Sequence, residues 1–326
     1  MTEREGWTAN WAVEREERMA HLARLPGKAH HERLEAINRV SRLLSTNGTE
    51  LSRHIATFVG TGRHVQDLTD EFEHEAVRFL HNYIASVATL RDVQRSTHRM
   101  IWPERIPVDQ RRDSSDRRTV WEVSTYEPKV TELFGDDDIK FLFDLRNFTV
   151  HYSAPVMSIG TTWRHRPPRP VEWINTVQLK RSELDKFSKW SGPAKRFLRT
   201  QEKDVEFLPL IEKYSQRARK FYEWFWFEVR QAVTVEVEEF LSKSNEFGLW
   251  LGEEMAKPDF DPAPGGMPIP GSFRRNRARA HLERCAYGTT GWGGITVDVD
   301  GVAVVGDSDW APLPPVGKYR RPEDGE

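Results

Sequence analysis

The feature that most limits the fold of this 326-residue chain is a wide apolar stripe of helical period within residues 65–101. Ala76, Val77, Phe79, Leu80, Tyr83, Ile84, Val87 and Leu90 recur at i, i+3, i+4 and i+7. A helix this apolar on one side cannot stay uncovered in water, so other helices must pack on it. The chain supplies them at residues 139–152, at about 182–199 and at 205–241. Pro103 and Pro155 end two of these patterns, because proline cannot continue the backbone ladder. The expected fold class is mainly α: a helical bundle with a small two-stranded β insertion and a C-terminal β hairpin.

The organisation follows from where the pattern changes. Residues 1–60 read as a charged helical N-terminal arm, with a break at Pro26-Gly27. Residues 61–245 read as the helical core. Within it, residues 156–179 form a ribbon rich in Val, Ile, Thr and Trp, with the stiff Arg166-Pro167-Pro168-Arg169-Pro170 between its two halves. In the last core helix Phe221, Tyr222, Trp224, Phe225, Trp226 and Phe227 wrap around the axis. That predicts a helix buried on several sides, or a subunit interface. Residues 246–272 read as a Pro/Gly-rich linker. Residues 273–326 read as a basic, weakly ordered segment with a small hairpin around Asp300-Gly301.

Composition removes whole classes of function. With 48 basic and 50 acidic side chains, no general polycation is available to bind nucleic acid by charge alone, so binding has to come from local patches. One cysteine, Cys285, excludes a disulfide scaffold and a cysteine-rich zinc module. Residues 1–10 lack an apolar signal region, and no run reaches the roughly 18 apolar residues of a membrane span. The expectation is a cytoplasmic protein that does not enter the membrane. Phosphate-binding loops, nucleophile elbows and dinucleotide fingerprints are not found, and Glu71, His74 and Glu75 give only one Glu-x-x-His step where a di-iron bundle uses two. No cofactor and no metal is expected.

One short constellation carries chemistry. Inside Phe141 to Tyr152 stand Arg146, Asn147 and His151. At roughly 100° per residue, Phe141, Leu145, Phe148 and Tyr152 share the core arc, while Asn147 and His151 stack on successive turns of one side. Arg146 lies roughly 140° around from His151 on that wheel, close enough for its long side chain to reach a shared point. Phe143 and Val150 fall opposite the core stripe and suggest a second contact surface. The run Asp136-Asp137-Asp138 suits the positive start of the helix and is expected to cap its free amides. Histidine transfers protons near neutral pH, and the arginine fork holds an anionic phosphate. RNA brings its own nucleophile, the 2′-hydroxyl, so this set needs no metal.

The Arg146-Asn147-x-x-x-His151 pattern resembles the motif of the HEPN superfamily of helical ribonuclease domains: Arg, a polar residue, then His, with four to six residues between Arg and His. The resemblance covers about residues 65–241. It implies a dimerising helical bundle that brings two copies of the motif into one cleft. It further implies metal-independent RNA cleavage to a 2′,3′-cyclic phosphate, with Arg146 and His151 as the catalytic pair and Asn147 in support. Such domains recur in toxin–antitoxin and phage-defence systems, so the implied partners are RNA, a second copy of the chain and an antitoxin or other protein. Four other pairs meet the spacing: Arg15…His21, Arg24…His30, Arg91-Asp92…His98 and Arg275-Asn276…His281. Arg146 is preferred because its helix is apolar, begins with acids and follows another long helix. The alternative is a non-catalytic helical interaction or sensor module, bound through residues 221–227 or the Phe143/Val150 face. Basic segments at 105–118, 164–169, 195–199 and 274–284, with Trp163 and Trp173 as stacking platforms, are the expected RNA contacts.

Overall fold

The computed structural model describes residues 3–164 and 172–257, and the backbone of Ile295–Val297 and Ala303–Val305. The remainder of the basic C-terminal segment, with the Asp300-Gly301 turn, Cys285 and the Arg275-Asn276…His281 pair, lies outside the described residues, as does the Pro-rich loop of the ribbon. The fold is mostly helical with a small two-stranded antiparallel sheet between Met157 and Leu179. In chain order the elements are α1 (Glu3–Arg24), α2 (Pro26–Ala56), α3 (Asp70–Ile101), α4 (Glu127–Phe134), α5 (Asp137–His151), β1 (Met157–Arg164), β2 (Glu172–Leu179), α6 (Arg181–Leu184), α7 (Gly192–Arg199) and α8 (Leu208–Ala256). No helix among the described residues is long and apolar enough to cross a membrane.

The described residues fall into two compact units. One comprises residues up to 38 with residues 228–257. Here α1 and α2 meet at Leu25, and Pro26 restarts the helix at a first-turn position that has no need of its N–H. Gly27 then lets α2 cross α8 at backbone distance: a Cβ there would stand 1.9 Å from the Glu236 carbonyl oxygen. His30 pairs with the Glu236 carboxylate at 2.9 Å, and the His31 ring lies 5.4 Å from Phe240. Val13 and Met19 on α1 stay largely exposed, as expected for an arm helix.

The other unit is formed by residues 39–227. Residues 39–60, read from the sequence as part of the arm, belong to it, and Leu44, Leu51, Ile55 and Phe58 are buried. The apolar stripe on α3 is largely covered: Ala76, Leu80, Tyr83, Ile84, Val87 and Leu90 are buried, while Val77 and Phe79 at its edge are half-buried. The helix starts later than the stripe suggests, because a 3₁₀ turn at Val65–Asp67 precedes it. β1 and β2 pair antiparallel, with Met157 opposite Leu179 and Trp163 opposite Trp173. Buried Asn175 anchors this ribbon. Its amide nitrogen donates to the carbonyls of Phe58, Thr61 and Arg63 at 2.9, 3.1 and 2.9 Å, and its oxygen accepts from Thr161 at 2.8 Å.

Several sequence expectations shift. The helix expected across 182–199 is two pieces, α6 and α7. Ser191 caps α7, accepting from the Ala194 amide, and Pro193 fits the first turn after it. Val205 is not helical but pairs with Leu179 through two backbone bonds, which extends the ribbon. α8 runs on to Ala256, so the first part of the expected linker is helix. Of the aromatic run, Phe221, Phe225 and Trp226 are buried and only Phe227 is largely exposed, so the run is mainly core. A π-helical turn at Glu122–Tyr126, followed by α4, occupies a stretch whose sequence has no clear period.

That π turn closes over His98. The imidazole is fully buried between Trp121 and Tyr126, at 5.3 and 4.5 Å, and neither ring nitrogen has a hydrogen-bond partner among the described residues. Burial pushes its pKa down to about 4, from an ordinary 6.5. The folded chain therefore refuses a proton that the unfolded chain accepts. Stability should fall as pH drops from 6.5 towards 4, by up to roughly 3 kcal/mol at 1.36 kcal/mol per pKa unit. Nearby Glu122 acts in the same direction: burial pushes its carboxyl up, but a bidentate bond from Arg99 at 2.8 Å and the surrounding positive charge leave it below the usual carboxylate range. Urea unfolding at pH 7 and pH 4.5 checks this, and His98→Phe should flatten the slope. An unchanged slope in that variant would assign the acid sensitivity elsewhere.

Candidate functional site

α5 is buried on more than one side. Ile139, Phe141, Leu142, Leu145 and Phe148 are essentially inaccessible. The Phe148 ring stacks on Trp190 at 5.6 Å and 7° and meets Phe187 edge-on, while Phe141 contacts Trp190 and Phe197 at 5.2 and 5.0 Å. Of the acidic run only Asp138 meets the capping expectation, its Oδ1 accepting the first-turn amide of Ile139 at 2.8 Å. Asp136 stands at the N-cap, but its carboxylate accepts no amide of the helix. It pairs with Lys213 and Arg217, both at 2.8 Å, while Asp137 pairs with Arg196 and Asp138 with Lys213. Those cations hold Asp136 and Asp137 below the usual carboxylate range. Asp144 accepts the Ser191 amide at 2.8 Å. Beyond the one bond to the Ile139 amide, these acids lock the helix to α7 and α8 by hydrogen bonds and ion pairs.

The motif residues lie towards the other end. Asn147 and His151 are exposed and Arg146 is half-buried. Arg146 Nη1 donates weakly to Asn147 Oδ1 at 3.5 Å, and among the described residues no hydrogen bond joins either to His151. His151 is the last residue of α5, and the chain turns away after it. The wheel is accurate for Phe141, Leu145 and Phe148, but Ile139 and Leu142 are buried outside its core arc. Tyr152, expected in the core arc, is half exposed because the helix has ended, although its ring still contacts Phe148 and Phe187. Phe143, expected on an outer face, is half-buried against Phe134 and Tyr214, because α4 and α8 reach further around α5 than a single helix wheel can show. Val150 remains largely exposed.

Two cations lie next to Phe143, a placement the sequence did not show. The Arg91 guanidinium, from α3, lies 5.7 Å above its ring, and the Lys140 ammonium lies 5.9 Å from it. Lys140 had a signal, the even Lys140-x-x-Phe143-x-x-Arg146 step. Arg91 figures in the sequence only as the spacing partner of His98, and its approach to Phe143 from another helix had no signal.

The rival pairs fare differently. His98 is sealed beneath the π turn and cannot meet a substrate. His30 is occupied by Glu236. Arg15 lies over the Trp11 ring, and His21 is exposed on the arm helix. Glu71 and Glu75 line a shallow cavity of about 160 Å³ with His54, Arg63 and Phe72, away from the motif. Among the described residues no three His, Cys, Asp or Glu side chains converge as a metal-binding set. No protein-family model, curated protein or solved structure matches this chain. What the site can do must come from its side chains: an anion-holding fork, a proton-transfer group and an amide, all reachable from solvent at one end of one helix.

Proposed function

We propose that the chain is a metal-independent endoribonuclease of the HEPN type, with Arg146 and His151 as its catalytic pair and Asn147 as the residue that orients them. The observation that carries this reading is the accessibility of all three side chains at the end of a rigidly seated helix, set against the burial of the rival His98. In the proposed reaction the 2′-hydroxyl oxygen attacks the adjacent phosphorus while a base takes its proton. The bond from phosphorus to the 5′-oxygen breaks, and an imidazolium returns a proton to that oxygen. The products are a 2′,3′-cyclic phosphate and a 5′-hydroxyl. Arg146 neutralises the phosphate as charge builds on it. Two chains would bring two imidazoles to one cleft, one as base and one as acid. RNA incubated with the protein in EDTA should yield fragments ending in 2′,3′-cyclic phosphate. Intact RNA under those conditions, with a folded and dimeric protein, would reject the reading.

A second reading, an interaction module without catalysis, draws on the ribbon. Trp163 and Trp173 face each other across β1 and β2 at 69% and 52% exposure, an unusual display of indole on a two-stranded ribbon. It predicts a partner lost on Trp163→Ser with Trp173→Ser, and RNA left intact.

A further inference from the structure

His98 sits where an imidazolium has no place. The ring is fully buried near the end of α3, under the π turn at Glu122–Tyr126, and neither nitrogen has a partner among the described residues. A protonated ring carries two N–H donors and needs an acceptor for each. The carboxylate of the turn, Glu122, is already taken: Arg99 Nε donates to one oxygen and Nη2 to the other, both at 2.8 Å. The other charges that face the ring, Arg95 and Arg99 of its own helix, are positive. Arg91 and Asp92 face Tyr126, and Asp116 faces Arg99 from the loop before the turn. α8 adds rings at these contacts, Phe221 against Tyr126 and both Trp224 and Phe225 against Trp121, with Lys129 of α4 beyond them over Trp224.

We infer that the π turn is a proton-operated cover: when His98 takes up a proton, residues 119–126 lift from α3 while the helices beneath stay folded. The segment is built to come away as a unit. It is joined to α3 by the two Arg99 bonds and by ring contacts, Trp121 on Trp102 at 3.9 Å and 6° among them. Its leading edge hangs on the Val120 amide, which donates to the Glu104 carbonyl at 2.8 Å, and on a longer bond from the Ile106 amide to the Arg118 carbonyl at 3.4 Å. Between those anchors residues 107–110 and 112–115 are exposed. Thr119 stays with the turn, because its hydroxyl and carbonyl accept the Glu122 and Val123 amides, both at 3.1 Å. A single π turn is a rare geometry that often marks a functional position. Once water reaches the ring, the imidazolium is solvated, and the lifted state gains below the ordinary histidine range. Regional opening of this kind takes less free energy than unfolding the whole chain. The acid sensitivity described above is thus assigned to one movable segment, and the cover operates whether or not the chain cleaves RNA.

Amide hydrogen exchange of the full chain, read by peptide mass and corrected for the intrinsic pH dependence of exchange, tests the cover. Between pH 7 and pH 5 the protection of residues 119–126 should fall roughly 20-fold, the ratio set by an imidazole that titrates at 6.5 when open and at about 4 when covered. Urea below its unfolding range should hardly change that protection, because little surface opens, whereas protection of residues 80–90 in α3 should fall steeply. His98→Phe should hold the pH change under about threefold. Glu122→Gln, which loosens the tie to Arg99, should lower protection at both pH values and keep their ratio. If residues 119–126 exchange with the same free energy and urea slope as residues 80–90, the turn opens only with the whole fold and the cover is wrong. Local exchange that is equal at pH 7 and pH 5 overturns the proton trigger. Should His98→Phe fail to fold, the wild-type urea series and the Glu122→Gln ratio decide the matter on their own.

Discussion

His151→Ala should lower RNA cleavage by roughly 10²–10⁴-fold, the usual contribution of a positioned proton-transfer group. The side chain is exposed and makes no hydrogen bond among the described residues, so the variant should unfold at the same urea concentration as the wild type. That separation makes the experiment decisive, because lost activity cannot be attributed to a damaged fold. Arg146→Ala should cost a similar amount, about 10²–10³-fold, through loss of phosphate stabilisation. Arg146→Lys should recover only part of it, since an ammonium retains the charge but not the planar fork. Measured by release of 2′,3′-cyclic ends in EDTA, single and double variants should be far from additive, because the two groups act on one transition state. Cleavage that persists in His151→Ala would move the chemistry off α5 altogether.

Phe148→Ala should destabilise the protein by about 3–5 kcal/mol. Only 1% of Phe148 is exposed, and its ring fills the space between Trp190, Phe187 and Tyr152. Removing it leaves a cavity walled by rigid aromatic rings, which collapse poorly. Against a total stability of order 5–15 kcal/mol, this should appear as a large fall in the urea midpoint. Phe148→Leu should cost under half as much. Because Phe148 stands between Asn147 and Thr149 in the turn below His151, the alanine variant should also lose cleavage below the temperature at which it melts. A midpoint within about 1 kcal/mol of wild type would mean that α5 is held mainly by its ion pairs to α7 and α8.

The parts of the fold legible in the sequence are those fixed by local periodicity. The α3 stripe, the apolar side of α5, the ribbon and the buried character of the 221–227 run are all local patterns, and each is present. What escaped depends on partners distant in sequence. Asp136 looks like a cap until Lys213 and Arg217, about 80 residues away, take its carboxylate. Phe143 looks like a free outer face until α4 and α8 reach it. The π turn at 122–126 has no period to read, and its purpose, covering His98, is visible only with α3 beside it. The Arg-Asn-His pattern could be read directly, but nothing in one dimension distinguishes exposed His151 from sealed His98.

Asn175 has a consequence for how the ribbon is held. A single side-chain amide supplies the donors that tie the ribbon to the carbonyls of Phe58, Thr61 and Arg63. Asn175→Asp would leave a carboxylate facing three carbonyl oxygens, with repulsion where there had been donation. The ribbon would then hang on the Val65 amide at Thr161, the Met157 amide at Glu73 and the Leu179–Val205 bonds. One atom's exchange should therefore loosen the strand pair while the helices stay in place.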